Sequence, residues 1–374
     1  MLATQAGAST VSFEPLPEAP PPVRHRAARF SDTLREWREE RARKDGYLAT
    51  VVPYTGYGST SWIRVLGRVL LTHDITERAS TPHPEGIRGW RSFLSVPVNH
   101  AKVRVTIGEQ RHTVTADRSG LIDEVVPISL SPGWHTIGLQ AENPDPQPTI
   151  DRPPNEAQIY VVDPAARLGI VSDVDDTVMV TALPRPMLAA WHAFVLNEHS
   201  RRPTPGMPVF YERLTRAYRD APVVYLSTGA WNVAPTLTRF LARNLYPAGT
   251  LLLTDWGPTE TSWFRSGSDH KRKSLERLAE EFPNVKWVLI GDDGQHDEEI
   301  YGNFVTSHPD HVVAVCIRQL SPGQAMLAGS AGKTHAAPSN SAVPWLYGPD
   351  GSIFVEKLKE LGLLVDNEKQ PTVE

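Results

Sequence analysis

Short runs of alternating hydrophobic and polar residues characterise the chain from about residue 46 to residue 163. Alternation with a period of two is typical of strands that bury one face. Turn-forming clusters, DRSG at 117–120 and SPGW at 131–134, separate the runs. Because several short strands at such spacing are typical of a sandwich, we predict an antiparallel β-sandwich domain over residues 46–163. Its strands are predicted at 61–71, 102–108, 112–126, 134–142 and 157–163.

The pattern changes after residue 163, where the apolar runs become continuous and alternate with helical or loop segments. Continuous apolarity is typical of strands that are buried on both faces, as in a parallel sheet covered by helices. Helical periodicity is present at 235–245 and 273–282. We therefore predict an α/β domain over residues 164–334. Its strands are predicted at 168–172, 223–227, 250–256, 286–292 and 311–318.

Two end segments flank these domains. Residues 1–45 read as an N-terminal arm that is extended in its proline-rich part and helical near 30–46. Residues 335–374 read as a C-terminal tail with a helix at 355–364. The stretch from Thr177 to Ser227 is too long for a simple crossover, so we expect part of it, at about 180–215, to form a small helical cap.

Composition narrows the class of protein. The chain has 374 residues, 40% hydrophobic and 22% charged, with a formal net charge of −5. This balance gives no sign of a general affinity for nucleic acid. Cys316 is the only cysteine, which excludes an internal disulfide and a cysteine-rich metal site. No run approaches the ~20 apolar residues that a membrane-spanning helix needs, and the N-terminus lacks the pattern of a secretory signal. We expect a cytoplasmic enzyme.

The first predicted strand of the α/β domain runs directly into a group of acidic and hydroxyl residues, in LGIVSDVDDTV at 168–178. Asp173, Asp175 and Thr177 follow the strand at intervals of two. Ligands of open α/β sheets bind at the carboxyl ends of the strands. One carboxylate can attack phosphorus while the other exchanges protons with the leaving oxygen and with water. Alone the pattern is weak, because Asp and Thr also favour turns and helix caps.

Three later features of the sequence strengthen the case for phosphoryl-transfer chemistry at these strand ends. The second strand ends in Ser227-Thr228-Gly229, whose hydroxyls and backbone N–H groups suit phosphate oxygens. Lys271 lies before or at the start of a predicted helix, where its charge can neutralise a phosphoryl group. The fourth strand runs into Asp292-Asp293, followed by Asp297. Because carboxylates crowded at a strand end are costly unless paired or bound to a cation, Asp292 with Asp293 or Asp297 predicts a metal site.

The order Asp-x-Asp, Ser, Lys and Asp pair at successive strand ends resembles the haloacid dehalogenase (HAD) superfamily of phosphohydrolases. Within that superfamily, VSDVDDTVMVT, YLSTGAWN, LLLTDWGP, HKRKSLERL and VLIGDDGQHDEEIY resemble the actin-patch-associated phosphatidate phosphatase family. The resemblance covers roughly residues 165–320, and more loosely the β-rich region before it. It implies an HAD-like Rossmannoid parallel sheet with strand order 5-4-1-2-3.

The resemblance also implies a mechanism. Asp173 is expected to become phosphorylated and Asp175 to act as the general acid and base. Mg²⁺ is expected between Asp173, the main-chain carbonyl of Asp175, and Asp292. Ser227, Thr228 and Lys271 are expected to bind the phosphoryl group. An acid at Asp175 favours phosphate-ester hydrolysis, because the dehalogenases of the superfamily lack one at this place.

Two departures from the family's pattern matter. The family usually has Asn where this chain has Thr228, and often Ser where it has Asp293. The second departure leaves open which of Asp293 and Asp297 completes the metal shell beside Asp292. Apolar residues of the expected cap, Trp191, Phe194 and Val195, suit either an acyl chain or packing on the sheet.

The resemblance predicts hydrolysis of phosphatidate to diacylglycerol and phosphate, with peripheral contact at membranes. The same chemistry on a soluble phosphomonoester or a phosphoprotein stays open, because the residues themselves do not indicate a lipid. A response-regulator receiver is excluded, since its phosphoacceptor lies on a later strand than its acidic pair. A scaffold protein with an inactive phosphatase domain is disfavoured, because the set from Asp173 to Asp292 is intact.

Overall fold

The computed structural model describes most of the chain outside the N-terminal arm and several loops. The described residues are 37–72, 96–142, 153–180, 202–254, 260–294, 296–328 and 341–364, with side chains described from residue 267 onward in the helix that begins at Glu260. Within them, the structure confirms an α/β region with a parallel sheet, preceded by a largely antiparallel sheet.

The antiparallel region forms one hydrogen-bonded sheet in the described part of the chain. Its strands are β1 (Leu48–Pro53), β2 (Gly56–Ser59), β3 (Trp62–Thr72), β4 (Val96–Pro97), β5 (Lys102–Ile107), β6 (Gln110–Thr115), β7 (Leu121–Pro127), β8 (Gly133–Ala141) and β9 (Asn155–Val161). The order is β1-β3-β2-β9-β8-β5-β6, with β4 and β7 also paired to β3. All pairs are antiparallel except β2 with β9.

This sheet curves around its own hydrophobic core. Its inward residues alternate along the strands, as the sequence pattern predicted, and fully buried members such as Ile63, Val103 and Leu139 form one cluster. Strands that are not hydrogen-bonded to each other also meet, β1 with β8 and β6 with β7. The predicted division into two sheets of a sandwich stays a prediction.

The parallel sheet has six strands among the described residues: β10 (Leu168–Asp173), β11 (Val223–Ala230), β12 (Thr250–Thr254), β13 (Lys286–Asp292), β14 (Val312–Arg318) and β15 (Trp345–Gly348). Their order is β12-β11-β10-β13-β14-β15, and every pair is parallel. The five strands that the sequence predicts therefore lie in the order 5-4-1-2-3, with β15 beyond the fifth. All six residues of β10 are buried, because it lies between two neighbours.

Helices cover this sheet. They are α1 (Met207–Ala217), α2 (Ala234–Arg243), α3 (Glu260–Glu281), α4 (Asp297–Ser307), α5 (Pro322–Ala328) and α6 (Gly351–Glu360). Residues 37–44 are also helical, inside the segment 30–46 that the sequence assigned to a helix. Asp350 caps α6 by accepting from the backbone N–H groups of Ser352 and Ile353, which places its start four residues before the predicted 355.

Two segments that were predicted to lie outside the core of the α/β domain are part of that core. The predicted cap extended to about residue 215, but residues 207–217 form α1, which buries Phe210 and Tyr211 against the sheet and against α6. The reason is that its apolar residues recur at helical spacing and need a partner. The rest of that cap, including Trp191, Phe194 and Val195, lies outside the described residues.

The C-terminal segment is likewise part of the domain. The sequence predicts a separate tail from residue 335, whereas β15 extends the parallel sheet beside β14. The four residues of β15 are too few for a strand signal, so only the pairing partner reveals it. Helix α6 then packs against α1, which closes the edge of the domain.

A group of ion pairs and hydrogen bonds joins the antiparallel sheet to helix α3 of the α/β domain. Arg64 of β3 forms ion pairs with Asp123 of β7, at 2.6 Å, and with Glu281 of α3. The Tyr57 hydroxyl donates to Glu281 at 2.7 Å, and Arg277 pairs with Asp123 at 2.9 Å. These partly buried charges satisfy one another, so the end of helix α3 is tied to the antiparallel sheet.

The packing of Gly169 on Trp287 generates a stability prediction. A Cβ at residue 169 would lie 2.4 Å from the indole ring of Trp287, which is fully buried. Gly169→Ala should lower the stability of the α/β domain by roughly 1–3 kcal/mol, because a closely packed ring cannot move aside without strain. Urea unfolding followed by tryptophan fluorescence measures the shift.

Gly323 is the matched control. It lies in α5 with no atom within 4 Å of an added Cβ. Gly323→Ala should be neutral or stabilise by up to about 1 kcal/mol, since alanine favours helix. Equal unfolding midpoints for the two variants would show that the Gly169 contact does not constrain the sheet.

Candidate active site

The carboxyl edge of the parallel sheet brings together the acidic residues that the sequence singled out. Asp173 is the last residue of the central strand β10, and Asp292 is the last residue of the neighbouring strand β13. Ser227 lies near the end of β11, on the other side of β10. Parallel strands end at the same edge, so residues more than 100 positions apart meet there.

Lys271 is at the centre of this edge. Its Nζ donates to Asp173 Oδ1 and to Asp297 Oδ1, each at 2.6 Å, and the residue is 2% exposed. Burial alone would lower the pKa of Lys271, but Asp173 and Asp297 raise it above its ordinary value. The ammonium is therefore charged, and it faces the carboxylate that the sequence assigns as nucleophile.

The position of Lys271 within its helix differs from the prediction. The sequence placed it before or at the start of a helix that begins near residue 273, whereas α3 begins at Glu260 and carries Lys271 in its interior. Judged from the sequence alone, Gly267 argues against a helix that continues through it, because glycine is unfavourable inside a helix. In the fold it allows close packing, because a Cβ there would lie 2.9 Å from the methyl group of Thr228.

Asp173, Asp292 and Asp297 form a buried cluster. One carboxylate oxygen from each lies within 4.8 Å of the other two. Asp173 Oδ2 and Asp292 Oδ2 are buried and accept no hydrogen bond from the described residues. Unsatisfied buried carboxylate oxygens are costly, so this pair of atoms suits an electropositive ligand.

The electrostatics of the cluster point the same way. Burial raises the pKa of Asp173 well above its ordinary value, Lys271 opposes that shift, and Asp297 and Asp175 add to it. Burial, followed by the charges of Asp297 and Asp173, likewise raises the pKa of Asp292. Three ionised carboxylates and one ammonium leave two negative charges uncompensated. A hard divalent cation, which prefers oxygen ligands, fits both that charge and the donor set.

The second aspartate of the motif has a different environment. Asp175 Oδ2 accepts a hydrogen bond from Ser227 Oγ at 3.2 Å, and Ser227 Oγ accepts from the backbone N–H of Gly229 at 3.0 Å. The pairing of β11 with β12 shifts register between Leu226 and Ala230. Such a bulge re-aims side chains, and here it faces Ser227 toward the motif loop.

The structure separates the two acids between which the sequence could not choose. Asp297, the first residue of α4, belongs to the carboxylate cluster, and its Oδ2 also accepts from the backbone N–H of Asp292 at 3.3 Å. Asp293 lies outside the cluster: its Oδ1 accepts from the backbone N–H of Leu320 at 2.9 Å. Asp293 therefore fastens the loop after β14.

Gly291 explains how α4 approaches so closely. A Cβ at this position would lie 2.7 Å from Asp297 Oδ2 and 2.8 Å from Tyr301. The glycine before the acidic pair is thus required for Asp297 to reach the cluster. The sequence alone shows this glycine as part of a motif and does not indicate its packing role.

The backbone of the motif loop is held by residues that the sequence reading missed. Arg318, at the end of β14, donates to the carbonyl oxygen of Asp176 at 2.5 Å, and Tyr246 donates to that of Val178 at 2.6 Å. Arg318 ends an apolar run in the sequence, and a charge at the end of a buried strand could have marked it as a residue with a specific partner. Nothing in the sequence marks Tyr246 in this way.

Two histidines near the motif residues do not contribute to the cluster. His270, which precedes Lys271, is largely buried, which lowers its pKa to about 4, and His296 is half exposed. No helix in the described part of the chain is long and apolar enough to cross a membrane.

Comparison with known proteins finds a family that resembles the region carrying this site. Residues 168–319 match the model of the catalytic domain of phosphatidate phosphatase APP1. The chain is 24% identical over 152 residues to phosphatidate phosphatase APP1 of Saccharomyces cerevisiae, covering 40% of this chain and 26% of that protein. It is 25% identical over 154 residues to an uncharacterized protein of Schizosaccharomyces pombe, covering 41% and 25%. The chain thus spans about a quarter of the length of these relatives.

Among solved structures, a carbohydrate acetylesterase from Xanthomonas citri aligns over 76% of this chain and 74% of its own, at 8% identity and a TM-score of 0.28. That likeness is too low to bear on fold or function. The family match, in contrast, begins with β10 and ends just after β14, so it contains Asp173, Asp175, Ser227, Lys271 and Asp292. Over residues 168–319 this chain is therefore similar to the APP1 catalytic-domain family.

Proposed function

We propose that this chain is a Mg²⁺-dependent phosphomonoester hydrolase that acts through an aspartyl-phosphate on Asp173. The observation that carries the proposal is the buried arrangement of Lys271 between Asp173 and Asp297, with unsatisfied carboxylate oxygens on Asp173 and Asp292. Phosphoryl transfer depends mainly on positioning and on charge neutralisation. A charged lysine beside a nucleophilic carboxylate and a divalent-cation site supplies both.

The metal ligands that we propose are Asp173, the main-chain carbonyl of Asp175, and Asp292, with Asp297 supporting them. Bound Mg²⁺ supplies charge neutralisation for the phosphoryl oxygens and stabilises the ionised carboxylates. Asp297 orients Lys271 and the backbone of Asp292 through its two oxygens. Groups of this kind, one step behind the ligands, commonly set metal affinity.

The first chemical step assigns roles to the two motif aspartates. Asp173 attacks phosphorus in line, and the ester P–O bond breaks. Asp175 donates a proton to the departing alkoxide, which leaves as an alcohol. Lys271 neutralises the phosphoryl oxygens, while Ser227 and Thr228 bind them.

In the second step Asp175 takes a proton from water. The resulting hydroxide attacks phosphorus, the acyl-phosphate bond breaks, and inorganic phosphate leaves with Asp173 restored as a carboxylate. The hydrogen bond from Ser227 Oγ to Asp175 Oδ2 supports an Asp175 carboxyl that faces the phosphate site in both steps.

Phosphatidate is the proposed substrate, with diacylglycerol and phosphate as products. Support comes from the family, whose model and yeast member are both named for phosphatidate phosphatase. The alternative is the same chemistry on a soluble phosphomonoester or a phosphoprotein. We also propose that the protein is cytoplasmic and makes peripheral contact with membranes, where a lipid substrate would lie. An HAD-like assignment of the α/β domain is part of the same proposal.

Phosphate release from a substrate panel tests the function. Vesicles containing phosphatidate, 4-nitrophenyl phosphate and a phosphopeptide are compared with Mg²⁺ and with excess chelator. We expect release that the chelator abolishes, highest on phosphatidate. Asp173→Asn should fold normally by circular dichroism and give no turnover above background, because an amide does not act as the nucleophile. Turnover in chelator, or full activity of Asp173→Asn, would exclude the mechanism; a preference for a soluble ester would change only the substrate.

Asp297 and Asp293 provide a matched pair for the metal site. Asp297→Asn should weaken Mg²⁺ binding about 10–100-fold, because the cluster loses a carboxylate and Lys271 loses a charged partner. Asp293→Asn should leave the affinity unchanged, since that carboxylate binds the backbone N–H of Leu320. Isothermal titration calorimetry with Mg²⁺ measures both directly. The reverse ranking would move the site from Asp297 to Asp293.

Asp175→Asn tests the proton-transfer role. General acid catalysis contributes roughly 10²–10⁴-fold, and a poor leaving group needs it most. The loss of kcat/KM, which reports the steps up to formation of the aspartyl-phosphate, should therefore be larger on phenyl phosphate than on 4-nitrophenyl phosphate, whose leaving group is stable as an anion. Equal losses on the two esters would show that Asp175 does not protonate the leaving oxygen.

A further inference from the structure

The loop that carries Asp175 is a tight backbone turn. The N–H groups of Val178 and Met179 both donate to the carbonyl of Val174, at 3.0 and 3.1 Å, and Asp176 N–H donates to the carbonyl of Met179 at 2.8 Å. Asp176 has a φ of 57°. This left-handed conformation is uncommon outside glycine, although Asp tolerates it better than most residues. The direction of the neighbouring Asp175 carboxyl therefore depends on a turn that local sequence favours only weakly.

Arg318 holds this turn from outside. Its guanidinium is 4% exposed and donates through Nη1 to the carbonyl of Asp176 at 2.5 Å. The other nitrogens are engaged elsewhere: Nε donates to the carbonyl of Pro349 at 3.3 Å, and Nη2 to Gln324 Oε1 at 3.1 Å. Because these two contacts come from helix α5 and from the residue that follows β15, the guanidinium is held independently of the loop.

Tyr246 holds the same turn at a second point. Its hydroxyl donates to the carbonyl of Val178 at 2.6 Å, and the residue is 5% exposed. Arg318 lies at the end of β14, whereas Tyr246 follows helix α2. Two tertiary hydrogen bonds thus fix the backbone on both sides of the Asp176–Met179 turn.

We infer that Arg318 is a positioning residue that directs Asp175 through the carbonyl of Asp176, with Tyr246 as its partner on the far side of the turn. The inference rests on the proposed function for the role of Asp175. It adds a dependence of the active site on the C-terminal segment, since Arg318 pairs with Gly348 of β15 and donates to the carbonyl of Pro349. Only arginine offers this set of donors in one rigid plane.

Two readouts test the inference, one chemical and one structural. The first is kcat/KM for phenyl phosphate and for 4-nitrophenyl phosphate. The second is hydrogen–deuterium exchange of the amides at residues 174–179, which needs no activity. Arg318→Lys keeps the charge but cannot reach three acceptors at once. Tyr246→Phe removes one hydroxyl and keeps the ring.

A displaced Asp175 should impair proton transfer more than phosphoryl binding. Arg318→Lys should lower kcat/KM about 10–100-fold on phenyl phosphate and at least threefold less on 4-nitrophenyl phosphate, with Mg²⁺ affinity little changed; misplacement by about 1 Å is enough for such a loss. Tyr246→Phe should show the same selectivity at a smaller size. In both variants, exchange at 174–179 should accelerate at least about tenfold.

Arg68 supplies the matched control. It also donates to a backbone carbonyl, that of Ser119 at 3.2 Å, but within the antiparallel sheet. Arg68→Lys should leave the ratio of the two esters and the exchange at 174–179 as in the wild type.

The outcomes separate the inference from the proposed function. Equal losses of kcat/KM on the two esters, or unchanged exchange at 174–179 in both Arg318→Lys and Tyr246→Phe, would overturn the inference. If Arg318→Lys does not fold, Tyr246→Phe carries the same test alone. A wild type without chelator-sensitive phosphate release would overturn the proposed function, and the role of Arg318 toward Asp175 with it, while the exchange data would still decide whether Arg318 holds the turn.

Discussion

The active-site end of this protein depends on one buried ammonium group. Lys271 lies between Asp173 and Asp297 with no access to water, and removing one partner from such a buried charge pair typically costs about 3–5 kcal/mol. The pair cannot form unless helix α3 runs past the carboxyl ends of β10 and β13. Charge pairing and helix placement therefore stabilise each other, and the remaining carboxylates crowd around a position that a divalent cation would neutralise.

The surroundings of this group are arranged to keep it in place. Gly267 brings α3 close to β11, and Gly291 brings α4 close to β13, each by lacking a side chain where one would clash. The far end of α3 is fastened to the antiparallel sheet through Arg277 and Glu281. The antiparallel sheet thus contributes to the site indirectly, by fixing the helix that carries Lys271.

The motif loop shows a different kind of support. Its side chains bear the proposed chemistry, but its shape is set by donors from β14 and from the segment after α2. The left-handed Asp176 makes that outside support necessary, because the turn has little intrinsic preference for one conformation. A site built this way combines rigid strand ends, which place Asp173 and Asp292, with a loop that distant residues hold in position.

The sequence by itself determined the five parallel strands β10 to β14 and the antiparallel strands β3, β5, β8 and β9, because apolar periodicity is a local signal. It also singled out Asp173, Asp175, Ser227, Lys271 and Asp292, because the chemistry of their side chains can be recognised in the sequence. Tertiary structure alone decided that Asp297 rather than Asp293 joins the cluster, that α3 continues through Gly267, and that β15 completes the sheet. Those outcomes depend on contacts between segments far apart in the chain. The energy of such contacts depends on segments that are distant in the sequence, so no single stretch of sequence predicts it.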